Sequence, residues 1–238
     1  MKFDKNHFHK LNESYEKVSN LSSDLKDFDK KNLIASRKLF KKISEDPSPI
    51  DVEVLAILSG ISFEKNFIEF ITPIMAAIRD ILYLKNFYLV KPENLGVEYA
   101  VVKWPEDDLD EKLLKQAKEV INSSELRKFK LKVYGMQLHI DGCIILKCID
   151  ENESIFKFRK YLRKNTDGLP RKQSNWVHIP LGRILSPIGE EAMSRLKDFI
   201  LSCDNTLNYD IKIDALHLVK EKKWYMEEKE YLLTKSLK

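Results

Sequence analysis

The stretch that decides the fold is NWVHIPLGRI, residues 175–184. It is a run of β-branched and apolar side chains with one histidine, His178, and it ends in Gly182-Arg183. This composition predicts a β-strand. Residues i and i+2 of a strand share a face, so His178 and Pro180 would point to the same side. Proline has no amide proton to donate to a neighbouring strand, which confines Pro180 to a sheet edge or a β-bulge.

The segments around this strand predict helices and hairpins in a repeating order. Two strand-like runs at 130–140 and 143–149 meet at Asp141-Gly142, a dipeptide typical of hairpin turns, and a basic helix follows at 153–164. The other predicted elements are a strand at 52–59, a helix at 66–84, strands at 87–90 and 97–104, helices at 108–121 and 189–201, and strands at 211–219 and 224–233. After residue 50, the same order of helices and hairpins occurs twice. The sequence therefore predicts an α+β fold of two similar lobes, with antiparallel sheets around a central groove.

Residues 1–46 predict an amphipathic helical arm ahead of a domain at 47–238. Apolar side chains recur at intervals of three and four residues, beginning with Phe8, Leu11, Tyr15 and Val18. The run DPSP at 46–49 ends the pattern, because proline disfavours helix at the residue before it. We expect 5–43 to be mostly helical and to bury its apolar stripe against the core or against another chain.

The composition indicates a globular protein of the cytoplasm. The 238 residues are 43% hydrophobic with a net charge of +4, which is too small and too evenly spread to indicate a nucleic-acid coat. No secretory signal or membrane span is recognisable, since the longer apolar run at 67–84 is interrupted by Glu69, Arg79 and Asp80. Three cysteines without paired spacing fit a reducing compartment.

The strand and its surroundings resemble the 2H (two-histidine) phosphoesterases, the family of 2',3'-cyclic phosphodiesterases and RNA ligase-like proteins. VHIPLGRI at 177–184 is similar to the family's second signature, His-x-Thr or His-x-Ser with a following Leu-Gly-Arg. The hairpin segment DGCIIL at 141–146 precedes it, and LHLVKE at 216–221 with WYM at 224–226 follows it, in the order of the family's second lobe. The resemblance covers roughly residues 50–238.

The resemblance implies a mechanism that uses two imidazoles and no metal or cofactor. One histidine accepts a proton from the attacking hydroxyl while the other protonates the leaving oxygen, and the two signature hydroxyls bind the phosphate. It also implies that the first signature lies some 80 residues before His178, where KPENLGVEYA occupies 91–100. The first half-site would then face His178 from the opposed central strand of the other lobe.

This sequence departs from the family at three of the four signature positions. Gly96 stands where the first histidine is expected, and Glu98 stands where the first hydroxyl is expected. Pro180 replaces the second hydroxyl. Glycine cannot move a proton, and a carboxylate repels a phosphodiester unless a proton or a cation intervenes. The departures therefore predict weak or lost catalysis.

Several other residues are candidates for the site. His178 could work with Glu98, His217 or Tyr99 as an unorthodox second catalytic group, although a polar outward position is the favoured interpretation for His217. The tripeptide His-Ile-Asp that begins at His139 is similar to the signature, but His139 is interpreted as a strand residue near a turn. His7 and His9 are interpreted as solvated. The candidates for phosphate binding are Arg183, Arg171 and Lys172, with pairing to a carboxylate such as Glu190 as the alternative for Arg183.

Three functions remain open on the sequence alone. The first is a metal-independent cyclic phosphodiesterase acting on a 2',3'-cyclic nucleotide or an RNA end. The second is a non-enzymatic module that binds a nucleotide, an RNA end or a protein in the inherited groove. The third is an interaction protein that oligomerises or docks a partner through residues 5–43 of the arm.

Overall fold

The computed structural model of the protein describes residues 10–11, 13–17, 25–43, 47–82, 87–150 and 152–238, without the side chains of Lys42 and Asn205. His7, Phe8, His9 and Val18, named above, lie outside the described residues. Asp46 at the predicted boundary also lies outside them. Among the helices that are described, none is long and apolar enough to cross a membrane.

The described elements follow the predicted order. The strands are β1 Phe40–Lys42, β2 Ser48–Pro49, β3 Asp51–Gly60, β4 Phe87–Leu89, β5 Gly96–Lys103, β6 Phe129–Leu138, β7 Cys143–Asp150, β8 His178–Ile184, β9 Tyr209–Ile213, β10 Ala215–Lys223 and β11 Glu228–Ser236. The helices are α1 Ile34–Arg37, α2 Lys65–Leu82, α3 Glu111–Ser123, α4 Ser154–Asn165 and α5 Glu190–Thr206, with short 3-10 turns at Pro92–Asn94 and Trp224–Met226.

Two antiparallel sheets form the two lobes, as the sequence predicted. The four-stranded sheet has the order β11-β10-β3-β5, and the five-stranded sheet has the order β4-β8-β7-β6-β9. β6 and β7 form the predicted hairpin, with Gly142 at a positive φ of 85° in its turn. The expectation that both signature positions lie on central strands was wrong for Gly96, because β5 is the edge strand of its sheet. β5 nevertheless lies in contact with β8.

The main core lies between the helices and one face of each sheet. In α2 the buried side chains are Phe67, Ile71, Met75, Ile78 and Leu82, whose spacing of three and four residues places them on one stripe of the helix. They join a cluster that includes buried residues of both sheets. The opposite face of each sheet is the one that the predicted groove would use, and we call it the groove face.

The groove face of each sheet can be assigned from strand register, because directly paired residues share a face. In the five-stranded sheet it carries the row Gln137, Ile145 and Pro180, together with His178 two residues before Pro180. In the four-stranded sheet the groove face carries the row His217, Leu58 and Glu98. The sequence-predicted side chains His178, Glu98 and His217 therefore all lie on groove faces.

The open edge of β5 is closed by side chains rather than by another strand. Gln173 donates from Nε2 to the Val101 carbonyl at 2.7 Å, and its Oε1 accepts the Val101 amide at 3.0 Å. Arg159 of α4 binds the next exposed carbonyls, those of Glu98 and Tyr99. These contacts satisfy edge groups that would otherwise be open to pairing with another chain.

Pro180 lies at an irregularity in β8, as its chemistry predicted. The register of β8 against β7 shifts between the pairs Gly182–Ile144 and Pro180–Ile145, so Leu181 is the extra residue of a bulge. On the other side of β8, β4 pairs only with residues from Gly182 onward.

The arm packs against the groove face of the five-stranded sheet. Leu11 and Tyr15 are only 4% and 2% exposed, and they form a cluster with Cys143, Ile145 and Ile149. The predicted burial of the stripe is therefore confirmed for Leu11 and Tyr15.

The prediction that the arm is mostly helical was wrong for the part described. Residues 10–11, 13–17 and 34–37 are helical, but 25–33 and 38–43 are not. β1 within the arm pairs with β2 at Ser48–Pro49, so strands on the two sides of the predicted domain boundary are hydrogen-bonded to each other.

Candidate functional site

His178 is the first residue of β8 and its side chain is half-buried on the groove face. No described residue makes a hydrogen bond to its ring. Burial lowers the pKa of His178 to about 3; His139 when it is protonated, and the charges of Arg159 and Arg183, act in the same direction. At neutral pH this imidazole is uncharged and can accept a hydrogen bond or a proton.

Gly96 and Glu98, where the resemblance implies the histidine and the hydroxyl of a first half-site, both lie on β5. A Cβ built on Gly96 would lie 3.1 Å from the Ser59 carbonyl oxygen and 3.7 Å from carbons of Leu58 and Ile61. The place of a first signature side chain is therefore narrow and mostly apolar. Glu98 is half-buried; burial raises the pKa of its carboxyl, and Arg159 opposes that shift. The raised pKa means that Glu98 takes up a proton more readily than an exposed glutamate does.

Tyr99 lies on the other face of β5 from Glu98. Its ring is fully buried in the main core, and its hydroxyl accepts a hydrogen bond from Ser59 at 3.0 Å. The suggestion that Tyr99 supplies the second catalytic group was therefore wrong, because its hydroxyl points away from the groove.

His217 is brought to the same face as Glu98, in a row of three neighbouring strands with Leu58 between them. At about 4.8 Å per strand, their Cα atoms are roughly 10 Å apart. His217 Nδ1 lies 3.0 Å from the Thr234 hydroxyl, and its ring meets Tyr231 edge-on at 5.3 Å between centroids. Burial lowers the pKa of His217. The catalytic assignment of His217 stays a prediction, and its described contacts fit a packed strand histidine.

Arg183 is bound to protein groups at the end of the groove. Its Nη1 donates to Asp141 Oδ2 at 2.7 Å and to the Ser36 hydroxyl at 3.0 Å, and its Nε donates to the Tyr225 hydroxyl at 2.6 Å. The carboxylate partner is thus Asp141 rather than Glu190, and it helps to raise the pKa of Arg183 above its usual range. Phosphate binding by Arg183 stays a prediction, and it would require a ligand to share or replace these partners.

Arg171 and Lys172 are exposed in the segment that runs past the edge of β5. The Lys172 ammonium lies 4.5 Å from the centroid of the Trp104 ring, and the Trp104 indole donates to the Lys172 carbonyl at 3.0 Å. These contacts place Lys172 at the far end of β5 from Gly96. The phosphate-binding role of both cations stays a prediction.

His139 follows β6 directly and occupies the β6–β7 turn, where the Gly142 amide donates to its carbonyl at 2.9 Å. The interpretation as a residue near a turn is confirmed. Its ring meets Trp176 edge-on at 5.0 Å, and its Nε2 is buried with no hydrogen-bond partner among the described residues. Burial lowers the pKa of His139, so this second imidazole near His178 is also uncharged at neutral pH.

Sequence reasoning missed Arg159. The basic helix at 153–164 was recognised, but its other basic residues are exposed, and only the position of Arg159 on the helix distinguishes it from them. Arg159 shares the buried stripe of α4 with Ile155, Phe158 and Leu162. That spacing was the available signal, since an arginine on an apolar stripe requires polar partners.

Glu221 is the second residue that was missed. It is 4% exposed and lies two residues beyond Val219 on the groove face, where its Oε1 accepts the Met226 amide at 2.9 Å. Burial raises the pKa of Glu221 to about 7, and the nearby Glu98 carboxylate adds to the shift. Nothing in the run VKEKKW at 219–224 distinguishes this buried glutamate from an exposed one. Within the described ranges, no three His, Cys, Asp or Glu side chains are clustered in a way that could hold a metal ion.

Comparison with solved structures shows the same architecture in proteins of low sequence identity. ATU0111 of Agrobacterium tumefaciens, a protein of unknown function, is 12% identical with a TM-score of 0.62, covering 82% of this chain and 89% of that chain. TT0787 of Thermus thermophilus is 12% identical with a TM-score of 0.56, covering 77% and 97%. Escherichia coli LigT complexed with NADP+ is 14% identical with a TM-score of 0.51, covering 78% and 98%.

A further match is a structure described as a phosphoesterase, which is 11% identical with a TM-score of 0.53. No family model matches the sequence, and no curated protein matches it. At these identities the likeness concerns the fold alone. The described chain therefore has a 2H phosphoesterase-like fold, as the resemblance of its signature-like strand implied.

Proposed function

We propose that this protein binds a phosphate-bearing nucleotide or an RNA end in its groove, and that cyclic phosphodiesterase turnover is very weak or lost. The observation that carries the proposal is the asymmetry of the two half-sites. His178 lies on the groove face, whereas Gly96, Glu98 and Pro180 stand where the resemblance implies the other three signature side chains. Binding needs no proton shuttle, so it can persist where the chemistry fails.

The named complexes of a similar structure support the choice of ligand. LigT, which shares the fold at 14% identity, has been crystallised with 3'-AMP and with NADP+. Both ligands carry phosphate groups on a nucleoside. A nucleotide is therefore the first class of ligand to examine with this chain.

The experiment that tests the loss of catalysis uses a 2',3'-cyclic nucleotide as substrate. It compares the wild type, His178→Ala and a restored variant, Gly96→His/Glu98→Thr/Pro180→Thr. We expect the wild type and His178→Ala to be close to background, because removing one general acid or base typically costs about 10²- to 10⁴-fold. The restored variant should gain measurable turnover, provided that the Ser59 carbonyl beside Gly96 shifts by a few tenths of an ångström. Its fold is checked by circular dichroism.

The runner-up function is a weak metal-independent hydrolase that uses His178 with a second group on the other sheet. It is favoured by the shared row of Glu98 and His217 on the groove face. Robust wild-type turnover that disappears in His178→Ala would select this function and reject the binding-only proposal. Glu98→Gln and His217→Gln would then identify the second group.

A further inference from the structure

Arg159 joins the two lobes at the seam between the half-sites. Its Nε donates to the Tyr99 carbonyl at 2.8 Å, and its Nη2 donates to the carbonyls of Glu98 at 2.9 Å and Trp176 at 2.8 Å. Glu98 is a signature position, and Trp176 lies two residues before His178. The guanidinium is thus held rigidly on the backbones of both half-sites.

One nitrogen of this guanidinium, Nη1, has no hydrogen-bond partner among the described residues, although Cζ lies 5.1 Å from the centroid of the Phe156 ring. Arg159 is 4% exposed, and its Nη1 is buried without a hydrogen-bond partner in the part of the chain that the structure describes. Leaving a buried charged donor without a hydrogen bond costs more free energy than leaving a neutral donor so, and such groups are rare in native proteins. An anion that accepts a hydrogen bond from Nη1 would remove this cost. The planar guanidinium fork is suited to phosphate oxygens.

The arm covers the neighbouring backbone. The Tyr15 hydroxyl donates to the Val177 carbonyl, next to the Trp176 carbonyl that Arg159 binds, and the Tyr15 and Trp176 rings meet edge-on at 5.1 Å. Gln137 on the groove face donates to the Tyr15 carbonyl at 2.8 Å. Because Nη1 is closed to solvent, a ligand reaches it only when a covering group moves. Tyr15 is the nearest arm residue that these contacts identify.

We propose that Arg159 holds the anionic group of the ligand bound in the groove, and that Tyr15 covers this site until the ligand displaces it. The inference rests on the proposed function, since it names the residue that binds the phosphate and the residue that controls access. It assigns to Arg159 the phosphate contacts that the two missing signature hydroxyls would otherwise make.

The test measures binding of 3'-AMP to the full chain by isothermal titration calorimetry. We expect Tyr15→Ala to bind about tenfold more tightly than the wild type, because the covering contact is lost. In the Tyr15→Ala background, Arg159→Gln should weaken binding by about tenfold or more. Arg163→Gln is the matched control, since Arg163 is an exposed arginine one turn further along α4. That variant should bind as Tyr15→Ala does.

A second measurement keeps the test decisive if Arg159→Gln fails to fold. The Nε–H resonance of Arg159 is followed by NMR in the Tyr15→Ala chain while inorganic phosphate is added, and it should shift more than that of Arg163. Binding that Arg159→Gln leaves unchanged, or an Arg159 resonance that does not move, would overturn the assignment of Arg159 and leave the proposed function standing. Equal affinity of Tyr15→Ala and the wild type would overturn the covering role. Absence of 3'-AMP binding in both chains would overturn the proposed function itself, and the inference with it.

Discussion

At the scale of single residues, His178 is a histidine that the folded chain keeps uncharged. Its pKa falls to about 3 in the folded state from 6.5 in a free side chain, because burial disfavours the imidazolium. Below about pH 6.5 the unfolded chain therefore binds a proton that the folded chain does not, and the free energy of unfolding falls as the pH is lowered. The contribution is fully present above pH 6.5 and is lost progressively below it.

We expect this loss to be smaller in His178→Gln. Between about pH 7.5 and pH 5.5, the wild type should lose about 1 kcal/mol more of its free energy of unfolding than the variant does. Urea unfolding at both pH values measures the difference. Glu221 has the opposite dependence, because burial raises its pKa to about 7, but it is present in both proteins and cancels. An identical pH dependence in the two proteins would show that His178 is not shielded from water.

The position of some site residues can be predicted from the sequence, and that of others cannot. The shared face of His178 and Pro180 could be predicted, because residues i and i+2 of a strand lie on the same side. The contacts of Arg159 could not, since its partners are three carbonyls of two other segments. A local pattern shows that an arginine lies on an apolar stripe, but it does not show which backbone carbonyls accept its hydrogen bonds.

At the scale of elements, β8 is built around close contacts with β4. A Cβ added to Gly182 would overlap the Phe87 ring and the Tyr88 carbonyl oxygen. Gly182→Ala should therefore lower the free energy of unfolding by about 2 kcal/mol or more, since backbone of a paired strand cannot move aside cheaply. Gly189→Ala is the matched control, because no atom lies within 4 Å of the added Cβ.

Urea unfolding of the two glycine variants measures this difference. Gly189 is the N-cap residue of α5, so its replacement should cost no more than about 1 kcal/mol. Equal losses in the two variants would contradict the close packing of β4 against β8.

Hairpins could be predicted from the sequence, whereas the sheet order could not. The β6–β7 turn follows from Asp141-Gly142, because turn chemistry is local. The edge position of β5 depends on Arg159 and Gln173 capping its open side, and these residues lie far along the chain from the groups they bind. The periodicity of the sequence predicts a strand, but it does not show whether that strand lies at the edge or in the centre of a sheet.

At the scale of the whole molecule, the arm is part of the fold that it precedes. Arg183 donates to the Ser36 hydroxyl, Ser36 donates to the Asp141 carbonyl, and Phe40 meets Tyr88 at 5.0 Å between ring centroids. The arm therefore contacts the five-stranded sheet at several points besides Tyr15. The third function open on the sequence, association through the arm, would require these contacts to be exchanged for contacts with another chain.

The last prediction follows from this packing. Leu11→Ala should lower the free energy of unfolding by about 2–3 kcal/mol, because Leu11 is buried against Cys143, Ile145 and Ile149. Lys17→Ala, an exposed position of the same helical segment, should change it by less than about 0.5 kcal/mol. Thermal and urea unfolding provide the measurement.

Deleting residues 1–45 should have a larger effect of the same kind. It would expose the apolar groove face of the five-stranded sheet, so we expect a lower melting temperature or a larger mass by light scattering. If neither Leu11→Ala nor the deletion changed stability or mass, the arm would contribute nothing to the stability or the association of the two lobes. A loss of stability that Lys17→Ala does not share would instead make the arm a structural layer of the groove. Any ligand of His178 and Arg159 would then bind in competition with it.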